Sequence, residues 1–166
     1  MHFTKSLLCL FSLAGSALTA ATPVRSELET RVLPRATELI QSGLTFNIHN
    51  VKSGTVMDLS GVDNKSIIGY PLDSVGGENQ KWTTLWTGEA WNFQNALTGA
   101  YLGIAGTAQD GQNLTVSTTP TGWDIWHDTV NETNYRVFIP NTSQNWDLYA
   151  DGDATPGDPI TLWGEW

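Results

Sequence analysis

The sequence predicts an all-β fold: three similar units of about 40–45 residues closed around a pseudo-threefold axis. Three observations predict it. Short segments recur in register along the chain. Gly, Asn, Asp and Ser punctuate short alternating runs about every ten residues, which is turn and strand chemistry. No interval carries a long apolar stripe of helical period.

The recurrence is specific. Ile48-His49-Asn50 is matched by Phe93-Gln94-Asn95, 45 residues on, and by Phe138-Ile139-Pro140, another 45 on. Ser53-Gly54, Thr98-Gly99 and Ser143-Gln144 keep that step. Met57-Asp58-Leu59, Leu102-Gly103-Ile104 and Trp146-Asp147-Leu148 follow at steps of 45 and 44, and Trp82 is matched with Trp126 at 44. Each copy reads as strand, Ser/Thr-Gly turn, second strand, Gly/Asp/Asn turn, third strand. The second strands are 56–59, 101–104 and 146–149; the third are 66–70, 113–117 and 159–163. A solenoid would need polar caps, and a three-bladed propeller would be cramped. Units wrapped round an axis need neither, because each buries the others' apolar ends.

Before the repeats stand two further segments. Residues 1–21 read as a signal peptide: Lys5, an apolar run from Leu7 to Ala17, then small residues at Ala17, Ala20 and Ala21, with cleavage expected after Ala17 or Ala21. The competing reading is a buried strand or helix at the start of the domain. Residues 22–44 carry Arg25, Arg31 and Arg35 and no aromatic. Ser26 and Glu29 have capping-box spacing, Leu28, Val32 and Leu33 share one short face, and Pro34 interrupts it. This stretch is expected to be a pro-segment or stalk outside the core, with the folded domain spanning 45–166.

Composition narrows the function. With 8 Lys and Arg against 17 Asp and Glu, the formal charge is -9, which repels nucleic acids and anionic membranes. Hydrophobic residues make up 40% of the chain, too many for a disordered one, and no run after the N-terminus is apolar enough to be inserted in a bilayer. The single cysteine, Cys9, lies in the expected signal peptide. That excludes an internal disulfide, a Cys nucleophile and a Cys-ligated zinc from the mature chain. Four sequons, at Asn64, Asn113, Asn131 and Asn141, agree with a secreted, extracellular glycoprotein. Asp124, His127 and Asp128 lie close together in a short loop that offers no further metal ligand, and read as a solvated turn. Nothing in the spacing of the acids selects a glycosidase pair.

The stretch Asn50-Val51-Lys52-Ser53-Gly54-Thr55-Val56-Met57-Asp58-Leu59, followed by Ile68-Gly69-Tyr70-Pro71 and Asn79-Gln80-Lys81-Trp82, resembles one repeat of the ricin B-type lectins. These are β-trefoils with a Gln-x-Trp motif per repeat, also grouped as carbohydrate-binding module family 13. The resemblance covers residues 45–166, and Thr161-Leu162-Trp163-Gly164-Glu165-Trp166 is similar to fungal members. It implies a lectin that binds glycans or glycoproteins without catalysis or cofactor. It also implies a first-repeat site made of Asp58, Tyr70, Asn79 and Gln80. The carboxylate accepts bonds from vicinal hydroxyls, and the aromatic face stacks on the apolar side of a pyranose ring. Asn79 can donate and accept, and Gln80 steadies Asp58 from behind. Ile68 departs from the pattern, standing where some members place a polar contact.

Repeat two departs further. Gly103 replaces the Asp, and Trp123-Asp124-Ile125-Trp126 replaces the amide motif, so it is expected to be structural only. Repeat three keeps Asp147 and Trp163 as a second candidate site, but its closing motif is expected near position 170, past Trp166, which makes the repeat incomplete. Such shallow sites bind weakly, so avidity needs two working sites or a homo-oligomer. Two other readings stay open: a trefoil protease inhibitor acting through surface loops, and an accessory carbohydrate-binding module of a lost enzyme.

Overall fold

The protein is described by a computed structural model covering residues 6–9, 31–32 and 38–164. Among these residues twelve strands form one sheet system. They are β1 (Ser6–Cys9), β2 (Thr45–Asn50), β3 (Val56–Leu59), β4 (Ile67–Tyr70), β5 (Trp82–Trp86), β6 (Trp91–Asn95), β7 (Tyr101–Ile104), β8 (Leu114–Ser117), β9 (Asp124–His127), β10 (Tyr135–Phe138), β11 (Asn145–Leu148) and β12 (Ile160–Trp163).

The strands divide into a ring and three hairpins. β2 pairs antiparallel with β5, β5 with β6, and β9 with β10. An isolated antiparallel bridge between Trp91 and Trp123 joins the β6 side to the β9 side. The hairpins β3–β4, β7–β8 and β11–β12 cover one end. They touch one another in a cycle through the bridges Ser66–Thr115, Asn113–Thr161 and Ile68–Pro159. Three units related this way bury one another's apolar ends, as expected of a trefoil.

Local chemistry sets the turns. Asn50 Oδ1 accepts the backbone N–H groups of Lys52 and Ser53, both at 2.9 Å, and Asn95 Oδ1 accepts those of Leu97 and Thr98 at 3.2 and 3.3 Å. Each turn then ends on a left-handed glycine, Gly54 (φ 75°) and Gly99 (φ 72°), a conformation that costs a residue with a β-carbon.

The register corrects the third copy. His49 pairs with Val56, Gln94 with Tyr101 and Phe138 with Asn145. Val137-Phe138-Ile139 is therefore the counterpart of Ile48-His49-Asn50, one residue earlier than the sequence spacing suggests, and the third turn aligns on Thr142. The tryptophan pairing is corrected too. Phe46 faces Trp82 and Trp91 faces Trp123. The Trp82 indole N–H donates to the Met57 carbonyl at 3.1 Å, and the Trp123 indole to the Leu102 carbonyl at 3.3 Å. Trp123, fully buried, is the counterpart of Trp82; Trp126 is only half-buried. Below the hairpins Trp123 and Trp146 pack edge to face at 5.2 Å, with Phe93 at 4.9 Å from Trp146. Burying each such side chain is worth about 2–3 kcal/mol.

The expected stalk is also corrected. Val32 and Ile40 are 1% and 0% exposed and belong to the core. The Val32 N–H donates to the Ile125 carbonyl at 2.7 Å, and the Trp91 indole donates to the Val32 carbonyl at 2.8 Å. Arg31 is ion-paired with Asp124, and its guanidinium lies 5.8 Å from the Trp86 ring centre. Thr84 Oγ1 donates to the Gln41 carbonyl at 2.7 Å. The packed unit thus reaches well before Thr45, because apolar residues in this stretch cover ring side chains that would otherwise face water.

Ser6–Cys9, inside the expected signal peptide, forms β1, which lies between β2 and β10 and runs parallel to both. The rest of the expected signal peptide lies outside the described residues, as do Ser26 and Glu29 of the capping-box spacing, Leu28, Leu33 and Pro34 beside it, and Trp166.

Candidate functional site

The site is built on the β3–β4 hairpin. Asp58 pairs with Ile68 and Val56 with Tyr70. Because side chains alternate along a strand, Asp58, Ile68 and Tyr70 share one face, with Tyr70 diagonal to Asp58. Asp58 is 4% exposed, whereas Tyr70 is 46% exposed.

Gln80, in the 3-10 turn Glu78–Gln80 before β5, reaches this face from behind. It is 2% exposed and fully engaged. Its Nε2 donates to Asp58 Oδ2 at 2.8 Å and to the Pro71 carbonyl at 2.9 Å. Its Oε1 accepts the Asp73 backbone N–H at 2.8 Å. Its own carbonyl accepts Asn47 Nδ2 at 2.9 Å. Gln80 therefore aims the carboxylate and at the same time ties down the loop after β4. Asn79 is half-buried, donates to the Leu59 carbonyl at 3.2 Å and also bonds the Asp58 carboxylate.

The four residues named from the sequence are brought together. With Pro71, Leu72 and Asp73 they line an open cavity of about 340 Å³. Burial pushes the Asp58 carboxyl above its ordinary value, and the Asp73 charge adds to that push. The bonds from Gln80 and Asn79 oppose it. A carboxylate with spare acceptor capacity thus faces a cavity flanked by an exposed ring and an amide. That set can hold vicinal hydroxyls and the apolar face of a ring.

Asp73, Pro71 and Leu72 were not anticipated, and neither was Gly77. A β-carbon at Gly77 would lie 2.7 Å from Asn79 Oδ1 and 3.2 Å from an Asp73 carboxylate oxygen. The Pro71 and Gly76-Gly77 punctuation signals a loop. Nothing in the spacing says that the loop folds back beside Asp58.

Repeat three reproduces half of this geometry. Asn145 pairs with Trp163 and Asp147 with Thr161, so Asp147 and Trp163 stand in the same diagonal relation. Trp163 is 42% exposed. Among the described residues no side chain donates to the Asp147 carboxylate as Gln80 does to Asp58. Burial and then the Asp151 charge push Asp147 up to about 6, with Lys52 opposing. The neighbouring turn Tyr149–Gly152 holds Ala150 and Asp151 in left-handed conformations (φ 54° and 56°).

Repeat two has no such site. Gly103 stands where Asp58 and Asp147 stand, and Ser117, opposite Tyr101, stands where the aromatics do. Trp82 lies twelve residues after Tyr70, but Trp123 lies only six after Ser117, so the loop that walls the first cavity has no counterpart.

The expected solvated turn around His127 is corrected. Asp124 and Asp128 are 7% and 1% exposed. Asp128 accepts Arg136 Nε at 2.7 Å and the N–H groups of Val130 and Asn131. His127 contacts Glu38 at 3.1 Å and the Glu132 carbonyl at 2.6 Å. These side chains point to separate partners, and no metal-holding group occurs among the described residues. The sequon residues Asn64, Asn113, Asn131 and Asn141 are all exposed.

A family model described as a ricin-type beta-trefoil lectin domain-like matches residues 78–163. Among solved structures, the chain is similar to the Macrolepiota procera ricin B-like lectin in complex with lactose. The identity is 54%, over 76% of this chain and 90% of that one, with a TM-score of 0.74. It is also similar to the Rhizoctonia solani agglutinin, at 27% identity over 75% and 87% of the chains and a TM-score of 0.64. A designed threefold-symmetric protein, ThreeFoil, shares the fold at 19% identity over 69% and 84%, with a TM-score of 0.59. No curated protein matches the sequence.

Proposed function

The chain belongs to the ricin-type β-trefoil lectin family, and on that premise we propose that it is a secreted, non-catalytic glycan-binding protein that recognises sugars through Asp58, Tyr70 and Asn79, with Gln80 as the positioning residue. One observation carries this reading. The buried Asp58–Gln80 pair opens onto a cavity whose outer wall is the exposed Tyr70 ring. The lactose held by the similar Macrolepiota lectin supports a neutral sugar as ligand.

Asp147 and Trp163 form the second, weaker site. Each site buries few ligand atoms, so affinity per site is low and tight capture of glycoproteins draws on both sites or on a homo-oligomer. Secretion rests on the charge, apolar and small-residue order of the first 21 residues and on the exposed sequons. Processing at Ala17 or Ala21 removes β1, and N-terminal sequencing of protein from culture medium tests it. The binding reading is tested on a glycan array. The parent protein binds a defined set of glycans, and Asp58→Ala loses them. A variant that keeps the parent's pattern overturns the site.

A further inference from the structure

We propose that Asp73 makes the first-repeat site selective for glycans that carry no negative charge on the residue next to the bound ring. The inference rests on the glycan-binding reading above and deepens it from sugars in general to uncharged ones.

The position of Asp73 carries the argument. Its backbone N–H is held by Gln80 Oε1 at 2.8 Å, and its Oδ1 accepts the Val75 N–H at 2.9 Å. Its other oxygen faces Gly77, across from Asn79. The carboxylate is therefore fixed at the cavity mouth, exposed, on the loop that closes the site. Asp58 supplies a second negative charge at the cavity floor. None of the seven residues lining the cavity is a cation. The neighbouring Lys81 is paired with Glu78 at 2.6 Å. An anionic group on the ligand thus meets two carboxylates with no compensating charge in the lining. In repeat three, by contrast, the Lys52 charge acts to lower the Asp147 carboxyl.

A neutral outer residue meets no such penalty and can lie against Pro71 and Leu72, which are both exposed beside Tyr70. Disfavoured ligands are those with a sialic acid, uronic acid or sulfate beside the recognised ring. The charges meet at an exposed mouth, so the expected discrimination is modest, about threefold to tenfold at low salt, and it shrinks as salt screens it.

The test uses two derivatives of lactose with the same open-chain second residue, neutral lactitol and anionic lactobionate. Titration calorimetry at roughly 0.01 M and 1 M salt gives their affinity ratio. The parent should prefer lactitol about threefold or more at low salt, with the preference falling at high salt. Asp73→Asn keeps the acceptor for Val75 and should bring the ratio toward one. Equal binding of the two by the parent overturns the proposal. So does a ratio unchanged by Asp73→Asn, or binding of lactose with loss of both derivatives. Failure to bind lactose as well as both derivatives strikes the sugar reading of the site itself.

Discussion

A β-carbon on Gly103 would stand 2.6 Å from Thr121 Oγ1, at the place where repeat one sets Asp58 against Gln80. The two small residues match each other as the two long polar ones do. Repeat two has thus closed over the position that repeat one keeps as a carboxylate lining its cavity.

That pairing predicts the outcome of restoring the acid. Gly103→Asp should bring no sugar binding to repeat two and should cost about 1–2 kcal/mol, because Thr121 must rotate or shift away. Adding Thr121→Ala should recover most of the loss. Chemical denaturation of the single and double variants, beside a glycan array, checks both parts.

At neutral pH the buried Asp58 carboxylate weighs against folding. Burial raises its carboxyl above the ordinary value of 3.8. An acid raised in the folded state favours folding most when protonated, so its contribution fades as pH rises through the folded value. Asp58→Asn should therefore leave the melting temperature at pH 7 unchanged or higher, while glycan binding at the first-repeat site is lost. A large fall in Tm would mean that the carboxylate is needed for the fold.

The same sign applies to Asp147, with a defined window. Its folded value is about 6 against an ordinary 3.8. The stabilising contribution is full below about pH 4 and is lost as pH rises through 6. Asp147→Asn should match the parent in Tm near pH 4 and exceed it at pH 7. Parallel Tm curves across pH 4–7 would contradict this.

Ile40 tests where the folded unit begins. It is fully buried although it precedes the first repeat. Ile40→Ala should cost about 2–5 kcal/mol, the range for a core residue, and urea unfolding measures it directly. A loss under about 0.5 kcal/mol would return this stretch to the role of an appendage.

The sequence by itself determined the fold class and the meeting of Asp58 with Tyr70 on one hairpin face. Both depend on local rules: hairpin alternation puts Tyr70 on the face of Asp58, and the recurring Asn50 and Asn95 turns pace the repeats. Tertiary structure decided the rest. Trp123, not Trp126, is the counterpart of Trp82, because the core is filled by volume and direction while residue counting is thrown off by the shorter loop of repeat two. Val32 and Ile40 joined the core for the same reason: burial is set by which surface of the ring lies uncovered. Asp73 became part of the site only when Gln80 pulled its loop back over Asp58. That bond joins residues that are neighbours in space but not in any periodic pattern.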